Sequence, residues 1–238
     1  MLDTSKLPQV APEYDLEKMF DVGVHFGHQT KRWHPKMAEY IYAERNGVHI
    51  FDLAKTATQL QIAYNYLYEL GKNDKKVIFV GTKRSAREII KNAAQKAGVM
   101  FIASRWLGGL LTNWEQVGKS LQEMLKIEEG LKNGTYDGYT KFEQTQLAKK
   151  ATRMGRFFDG IRDLKRKPDA IVVVDPRKEN NVIAEAIKVG VPIVAIADSD
   201  ANPSVLDIVI PANDDAAKSI ELLINELADA YAAGKKAK

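Results

Sequence analysis

The chain has 238 residues, of which 45% are hydrophobic and 28% charged, enough for one large or two small globular domains with a core of their own. It contains no cysteine, which excludes disulfides, thiolate metal sites and cysteine nucleophiles and fits a reducing compartment. The net charge of +4 favours a polyanionic partner only mildly. Residues 1–20 lack the apolar core of a signal peptide, and no run is long enough to span a bilayer, so a cytoplasmic protein with no membrane partner is expected.

Residues 1–15, with Pro8 and Pro12 and no period, read as a flexible arm. Residues 16–22 hold one or two helical turns, and residues 23–37 are too broken by glycine, histidine and proline for a regular element. Tyr40-Ile41-Tyr42-Ala43 and Val48-His49-Ile50-Phe51 flank Asn46-Gly47, a pair that tolerates the positive φ of a type I′ turn, so an N-terminal β-hairpin is predicted. Asp52 then caps a helix running to about Gly71. Val77-Ile78-Phe79-Val80 is a continuous apolar run, the mark of a strand buried on both faces. A helix with Ala86, Ile89, Ile90 and Ala93 inward follows, and a strand over residues 100–103 completes a parallel strand–helix–strand unit with a right-handed crossover.

The period changes at Thr112. Trp114, Val117, Leu121, Met124 and Leu131, then Leu147, Ala151, Met154, Phe158 and Ile161, recur at alternating three-four spacing around turns at Asn133-Gly134 and Asp137-Gly138. Two such helices form an antiparallel hairpin with a coiled-coil seam. Its second arm, at about 25 residues, would reach roughly 37 Å at 1.5 Å per residue. After Pro168 the buried strands resume at residues 170–174, 192–197 and 208–210, with helices over 181–190 and from Asp214-Asp215 onward. The domain reading is a flexible arm at 1–15, a discontinuous α/β domain at 16–111 and 168–233, an inserted hairpin at 112–167, and a frayed tail at 234–238.

Basic residues fall in three places. The second arm carries Lys149, Lys150, Arg153 and Arg156 on a mostly cationic edge, whereas the first arm carries Glu115, Glu123, Glu128 and Glu129. One charged edge on a projecting rod suits phosphate-backbone contacts, against the plainer reading of a solvated helix face. Lys31, Arg32, Trp33 and Lys36 put an indole among cations, which suits single-stranded or looped RNA, against the plainer reading of a buried tryptophan with solvated neighbours. Gly81-Thr82-Lys83-Arg84 joins a strand to a helix carrying Arg87, a place where backbone N–H groups can hold a phosphate, but the further glycines of a P-loop or dinucleotide fingerprint are absent. Asp175, Asp198 and Asp200 lie where strand ends should cluster, and they motivate the alternative of a metal-dependent α/β phosphoryl-transfer enzyme or receiver-like domain. His25 and His28, three apart in a broken loop, read as packing groups before metal ligands.

Several blocks then resemble one family in order. They include residues 23–33, Glu44-Arg45-Asn46-Gly47-Val48-His49-Ile50, Val80-Gly81-Thr82-Lys83-Arg84 and Arg105-Trp106-Leu107-Gly108-Gly109-Leu110-Leu111-Thr112-Asn113. Residues 169–176, 190–198 and 210–216 extend the match. Together they resemble bacterial small-subunit ribosomal protein two over about residues 16–233. The resemblance implies a flavodoxin-like (Rossmann-like) parallel sheet flanked by helices with a protruding coiled-coil hairpin. It implies a structural, non-enzymatic role without cofactor or small-molecule substrate: binding small-subunit ribosomal RNA, contacting neighbouring ribosomal proteins and helping dock the large messenger-binding ribosomal protein one. Lys31, Arg32, Trp33, Lys83, Arg84, Arg105 and Trp106 fall inside matching blocks and are expected to contact or position RNA. His34 and Asp200 depart from the asparagines usual at those places.

Overall fold

The computed structural model describes residues 4–237. Asp15 caps α1 (Leu16–Asp21) by accepting from the N–H groups of Glu17 and Lys18. A small antiparallel sheet follows, of β1 (Phe26–Gln29), β2 (Ile41–Arg45) and β3 (Val48–Phe51) in the order β1-β3-β2. Asn46 and Gly47, at φ 53° and 74°, make its turn. Asp52 caps α2 (Leu53–Lys72), and β4 (Val77–Val80), α3 (Arg87–Ala97) and β5 (Met100–Ile102) form the first parallel unit. The helices α4 (Trp114–Lys132) and α5 (Lys141–Phe158) come next, then β6 (Ala170–Val174), α6 (Asn180–Val189), β7 (Ile193–Ala197), β8 (Ile208–Pro211) and α7 (Ala217–Lys236).

The five main strands are all parallel in the order β5-β4-β6-β7-β8. Renumbered within the sheet this is 2-1-3-4-5, the flavodoxin-like order, whose crevice lies between β4 and β6. Alternation along each strand feeds two cores. Val77, Phe79 and Val172 pack with α2, α3 and α7, while Ile78, Val80, Ile171 and Val173 pack with α6, Leu110, Leu111 and the base of α4 and α5. No helix among the described residues is long and apolar enough to cross a membrane.

Several local expectations are corrected. Residues 26–29 form a strand although they look too broken for one, because pairing with β3 and distant partners stabilises them: the His28 N–H donates to Asp198 Oδ1 at 2.8 Å. The second arm is shorter than expected. The helix α5 has 18 residues, about 27 Å, and tightens to a 3-10 turn at Asp159–Ile161. There Gly160 lies so close to β5 that a Cβ would fall 2.0 Å from the Phe101 carbonyl oxygen. The tail through Lys236 is helical instead of frayed, because Gly234 is buried against α2, where a Cβ would meet the Tyr68 carbonyl at 2.0 Å. Residues 7–15 have no regular structure but are not loose. Val10 and Ala11 donate to Asn65 Oδ1 at 3.0 and 2.8 Å, and Gln61 Nε2 donates to the Pro12 carbonyl. Residues 1–3 of the expected arm and Lys238 of the tail lie outside the described residues.

Candidate nucleic-acid interface

The carboxyl ends of the parallel strands gather several of the charged residues singled out above, and they divide into two unlike halves. After β6, β7 and β8 the loops present Asp175, Asp198, Asp200, Asp214 and Asp215. Lys83, from the loop after β4, reaches into this group. Its Nζ lies 2.6 Å from Asp214, 2.5 Å from Asp215 and 3.1 Å from Asp175. Burial pulls its ammonium group down, but the three carboxylates more than reverse that, and its pKa is raised. One cation facing three carboxylates leaves surplus negative charge, and Asp214, the most buried, is pushed well above the ordinary carboxylate range by burial and by Asp175 and Asp198. His28 stands against the far side. Its Nδ1 lies 2.9 Å from Asp198 Oδ2 as a close ion contact without hydrogen-bond alignment. That contact outweighs burial and, with Asp200 and Asp214 nearby, lifts the imidazole to about 9. Arg177 pairs with Asp200 at 2.6 Å.

Two expectations meet here. Lys83, expected to contact or position RNA, has its charge engaged by three aspartates. Asp175, Asp198 and Asp200 do gather at the strand ends, and each faces a protein cation, Lys83, His28 and Arg177 respectively. Among the described residues no group of three or more His, Asp or Glu has an arrangement that would hold a metal ion.

The other half, after β4 and β5, is basic and open. Arg84 and Arg105 are exposed and make no side-chain hydrogen bond or ion pair among the described residues. Arg87 donates from Nε to the Thr82 carbonyl at 2.8 Å, and its guanidinium lies 3.5 Å from the Ser104 carbonyl. Ser104 Oγ in turn donates to the Arg156 carbonyl at 2.7 Å. These bonds bring the end of α5 beside the β5 loop. From Arg156 a cationic face continues outward through Arg153 and Lys149, at steps of three and four residues on one side of the helix. All three are exposed and unpaired among the described residues. Lys150 differs, since it pairs across the hairpin with Glu123. Arg162, further along the same arm, is held by Glu128 at 2.6 Å and by Asp159 at 2.6 Å.

Trp106 turns inward. It is only 7% exposed, and its indole N–H donates to Glu185 Oε1 at 3.0 Å, so of the two expected roles, contact or positioning, its geometry suits the second. Glu185 was not singled out from the sequence. Its signal is a charge on the buried stripe of α6, three residues after Val182 and four before Val189.

The third cluster sits on the small sheet. Lys31 and Arg32 are exposed, and Arg32 lies near enough to Asp215 to lower that carboxyl, together with Lys83 and His28, against the upward effect of burial. Trp33 is 42% exposed, with its ring 5.1 Å from that of His49. Lys36 Nζ donates to Ser204 Oγ at 2.7 Å, a neutral partner that leaves its charge uncompensated. The acidic group therefore separates this cluster from the basic half.

An apolar surface also escaped the sequence reading. Leu16, Phe20, Phe26 and Tyr42 are exposed around one groove between α1 and the small sheet. His25 stacks on Phe20 with centroids 4.2 Å apart and touches the Phe26 ring at 4.0 Å. Burial lowers its pKa, so it adds no charge there at neutral pH.

Among known protein families, the model described as Ribosomal protein S2 matches residues 19–234. The match takes in both halves of the carboxyl edge, the small sheet and the two-helix hairpin.

Proposed function

The chain belongs to the ribosomal protein S2 family, a family of structural proteins of the small ribosomal subunit, and on that premise we propose that it binds small-subunit ribosomal RNA through the open basic half of its carboxyl edge. The observation that carries this reading is the set of cations with no protein partner among the described residues: Arg84, Arg105, Lys149, Arg153 and Arg156. Arginine and lysine left free along one line are what a phosphate backbone recruits, through release of its condensed counterions. Arg87 borders this line and supports it. Lys31, Arg32, Trp33 and Lys36 form a second contact, where the exposed indole stacks on an unpaired base beside its cations. In this reading the α/β domain (16–111 and 168–233) is the platform and the hairpin (112–167) an inserted arm that extends the contact during subunit assembly.

The same membership favours a protein partner, the large messenger-binding ribosomal protein one. The groove of Leu16, Phe20, Phe26 and Tyr42 supports it, as an exposed apolar patch apart from the cationic line. Binding of the full chain to transcribed small-subunit RNA across a salt series tests the first reading. Affinity should fall steeply and linearly in log–log form as salt rises. Salt-independent binding, or none, would overturn it. Phe20→Asp should abolish capture of protein one and leave RNA affinity intact. Capture at wild-type strength by that variant would remove the groove from consideration.

A further inference from the structure

Glu185 sits on α6, in the body of the α/β fold, yet nearly all of its contacts are with the link between β5 and the hairpin. Oε1 accepts from the Trp106 indole N–H at 3.0 Å and from the Gly109 N–H at 2.8 Å. Oε2 accepts from the N–H groups of Leu111 at 3.0 Å and Thr112 at 3.2 Å, and from the Thr112 hydroxyl at 3.2 Å. Burial pushes this carboxyl up, and the donors from Gly109, Trp106, Leu111 and Thr112 outweigh that and hold it below the ordinary value. It is therefore ionised at neutral pH, and its bonds are charge-assisted.

The link has little else of this kind. Asn113, at the start of α4, makes no side-chain capping bond, and its N–H donates to the Gly109 carbonyl at 2.7 Å, so Glu185 supplies the side-chain contacts at this helix start. Gly109 has φ of +91°, a conformation open to it because it lacks a Cβ. Immediately upstream, Ser104 is tied by its hydroxyl to the Arg156 carbonyl. Arg105 thus lies between two anchored residues, Ser104 on one side and Trp106 on the other, with its own side chain exposed and unpaired.

We propose that Glu185 is the positioning residue of the RNA surface: it does not touch RNA, but its five hydrogen bonds aim Arg105 at a phosphate. This rests on the reading of the basic half as the RNA contact. A carboxylate directed at RNA would repel it, whereas one turned inward onto N–H donors adds order without adding charge to the contact face. The returning arm is anchored separately, by Ser104 on Arg156 and by the close approach of Gly160 to Phe101, so Glu185 acts on the link that carries Arg105.

The test is a double-mutant cycle on the full chain with transcribed small-subunit RNA. Arg105→Ala should lower the log–log salt slope by about 0.7–0.9 and weaken binding about fivefold near 0.15 M salt, as loss of one phosphate contact does. Glu185→Gln puts an amide N–H against N–H donors and should reproduce the same loss. The double variant should be no weaker than either single one. In a proton–nitrogen correlation spectrum the Trp106 indole resonance, assigned through Trp106→Phe, should move in Glu185→Gln. A folded Glu185→Gln with wild-type affinity and slope, or losses that add to those of Arg105→Ala, would overturn the proposal and leave the RNA reading standing. Wild-type protein without salt-dependent RNA affinity would overturn both. Should Glu185→Gln not fold, Thr112→Val removes one donor and keeps the carboxylate. It should weaken binding about twofold in the wild-type background and not at all with Arg105→Ala, and an equal effect in the two backgrounds would overturn the proposal.

Discussion

The two halves of the carboxyl edge begin from the same architecture and end with opposite electrostatics. Beyond β6, β7 and β8 five aspartates face Lys83, His28 and Arg177, and the charges close on one another. Beyond β4 and β5 the cations Arg84 and Arg105 close on nothing within the described chain. In an open α/β sheet the crevice between β4 and β6 is the customary ligand site, and here a lysine occupies it. The difference teaches that equal charge density can be either closed within the fold or left open at its surface, and the proposed RNA contact rests on the second kind.

The largest expected effect comes from opening the closed half. Replacing Lys83 with Met leaves Asp175, Asp214 and Asp215 mutually repelling in a partly buried site. Breaking one side of such an arrangement costs about 3–5 kcal/mol, toward the lower figure here because Asp214 already takes up a proton readily. Urea unfolding at pH 7 should show that loss, and it should shrink as pH falls and the carboxylates protonate. The folded variant should bind RNA with a wild-type salt slope. A reduced slope would mean that Lys83 reaches RNA after all and that the two halves are not separate.

The converse experiment breaks the open half. Changing Arg105, Lys149, Arg153 and Arg156 together to Gln should reduce the log–log salt slope by about 3 and weaken RNA binding on the order of 10²–10³-fold at 0.15 M salt. Stability should stay within about 0.5 kcal/mol per site, as for surface changes without partners. If affinity survives, the RNA contact lies on the Lys31–Trp33 side instead, and the comparison is inverted.

A smaller effect concerns pH. His28 has a folded pKa of about 9 against an ordinary value of 6.5, so its charged form favours the folded state. That stability is fully present below pH 6.5 and is lost as pH rises through 9. Asp214, raised in the folded state, acts with the same sign, because the folded chain again holds the proton more tightly. Unfolding free energy should therefore decline between pH 6.5 and 9, and His28→Gln should flatten the decline without removing it. An unchanged profile in that variant would show that the small sheet is not clamped to the acidic half through this imidazole.

What the sequence made legible follows from the range of the interactions involved. Val77-Ile78-Phe79-Val80 announces a doubly buried strand by itself, and the three-four spacing after Thr112 announces a helical hairpin, because both are patterns within a few residues. The strand at Phe26–Gln29 was missed because its partners are β3 and Asp198, the latter 170 positions away. The surroundings of Lys83 are hidden for the same reason. Nothing near it in sequence shows that Asp175, Asp214 and Asp215 converge on its ammonium group. Trp106 is expected from its glycine-rich block to contact or position RNA, and only Glu185, 79 positions later, turns it inward. Local periodicity thus revealed which elements form. Whether a charged or aromatic side chain faces outward depended on contacts between elements.

The finest version of the comparison lies within one helical turn of α5, between neighbours of the same charge. Lys149 is exposed and unpaired among the described residues, whereas Lys150 pairs with Glu123 across the hairpin. Lys149→Ala should lower the RNA salt slope by about 0.7–0.9 and leave stability unchanged. Lys150→Ala should do nearly the reverse, with a slope close to wild type and a stability loss of about 0.2–1 kcal/mol, since the lost pair is solvent-exposed. The two residues project about 100° apart around the helix at 3.6 residues per turn, and only Lys149 continues the line to Arg153 and Arg156. Equal slope losses from both would mean that RNA displaces Glu123 and recruits Lys150, so that an internal partner weakens a phosphate contact without forbidding it.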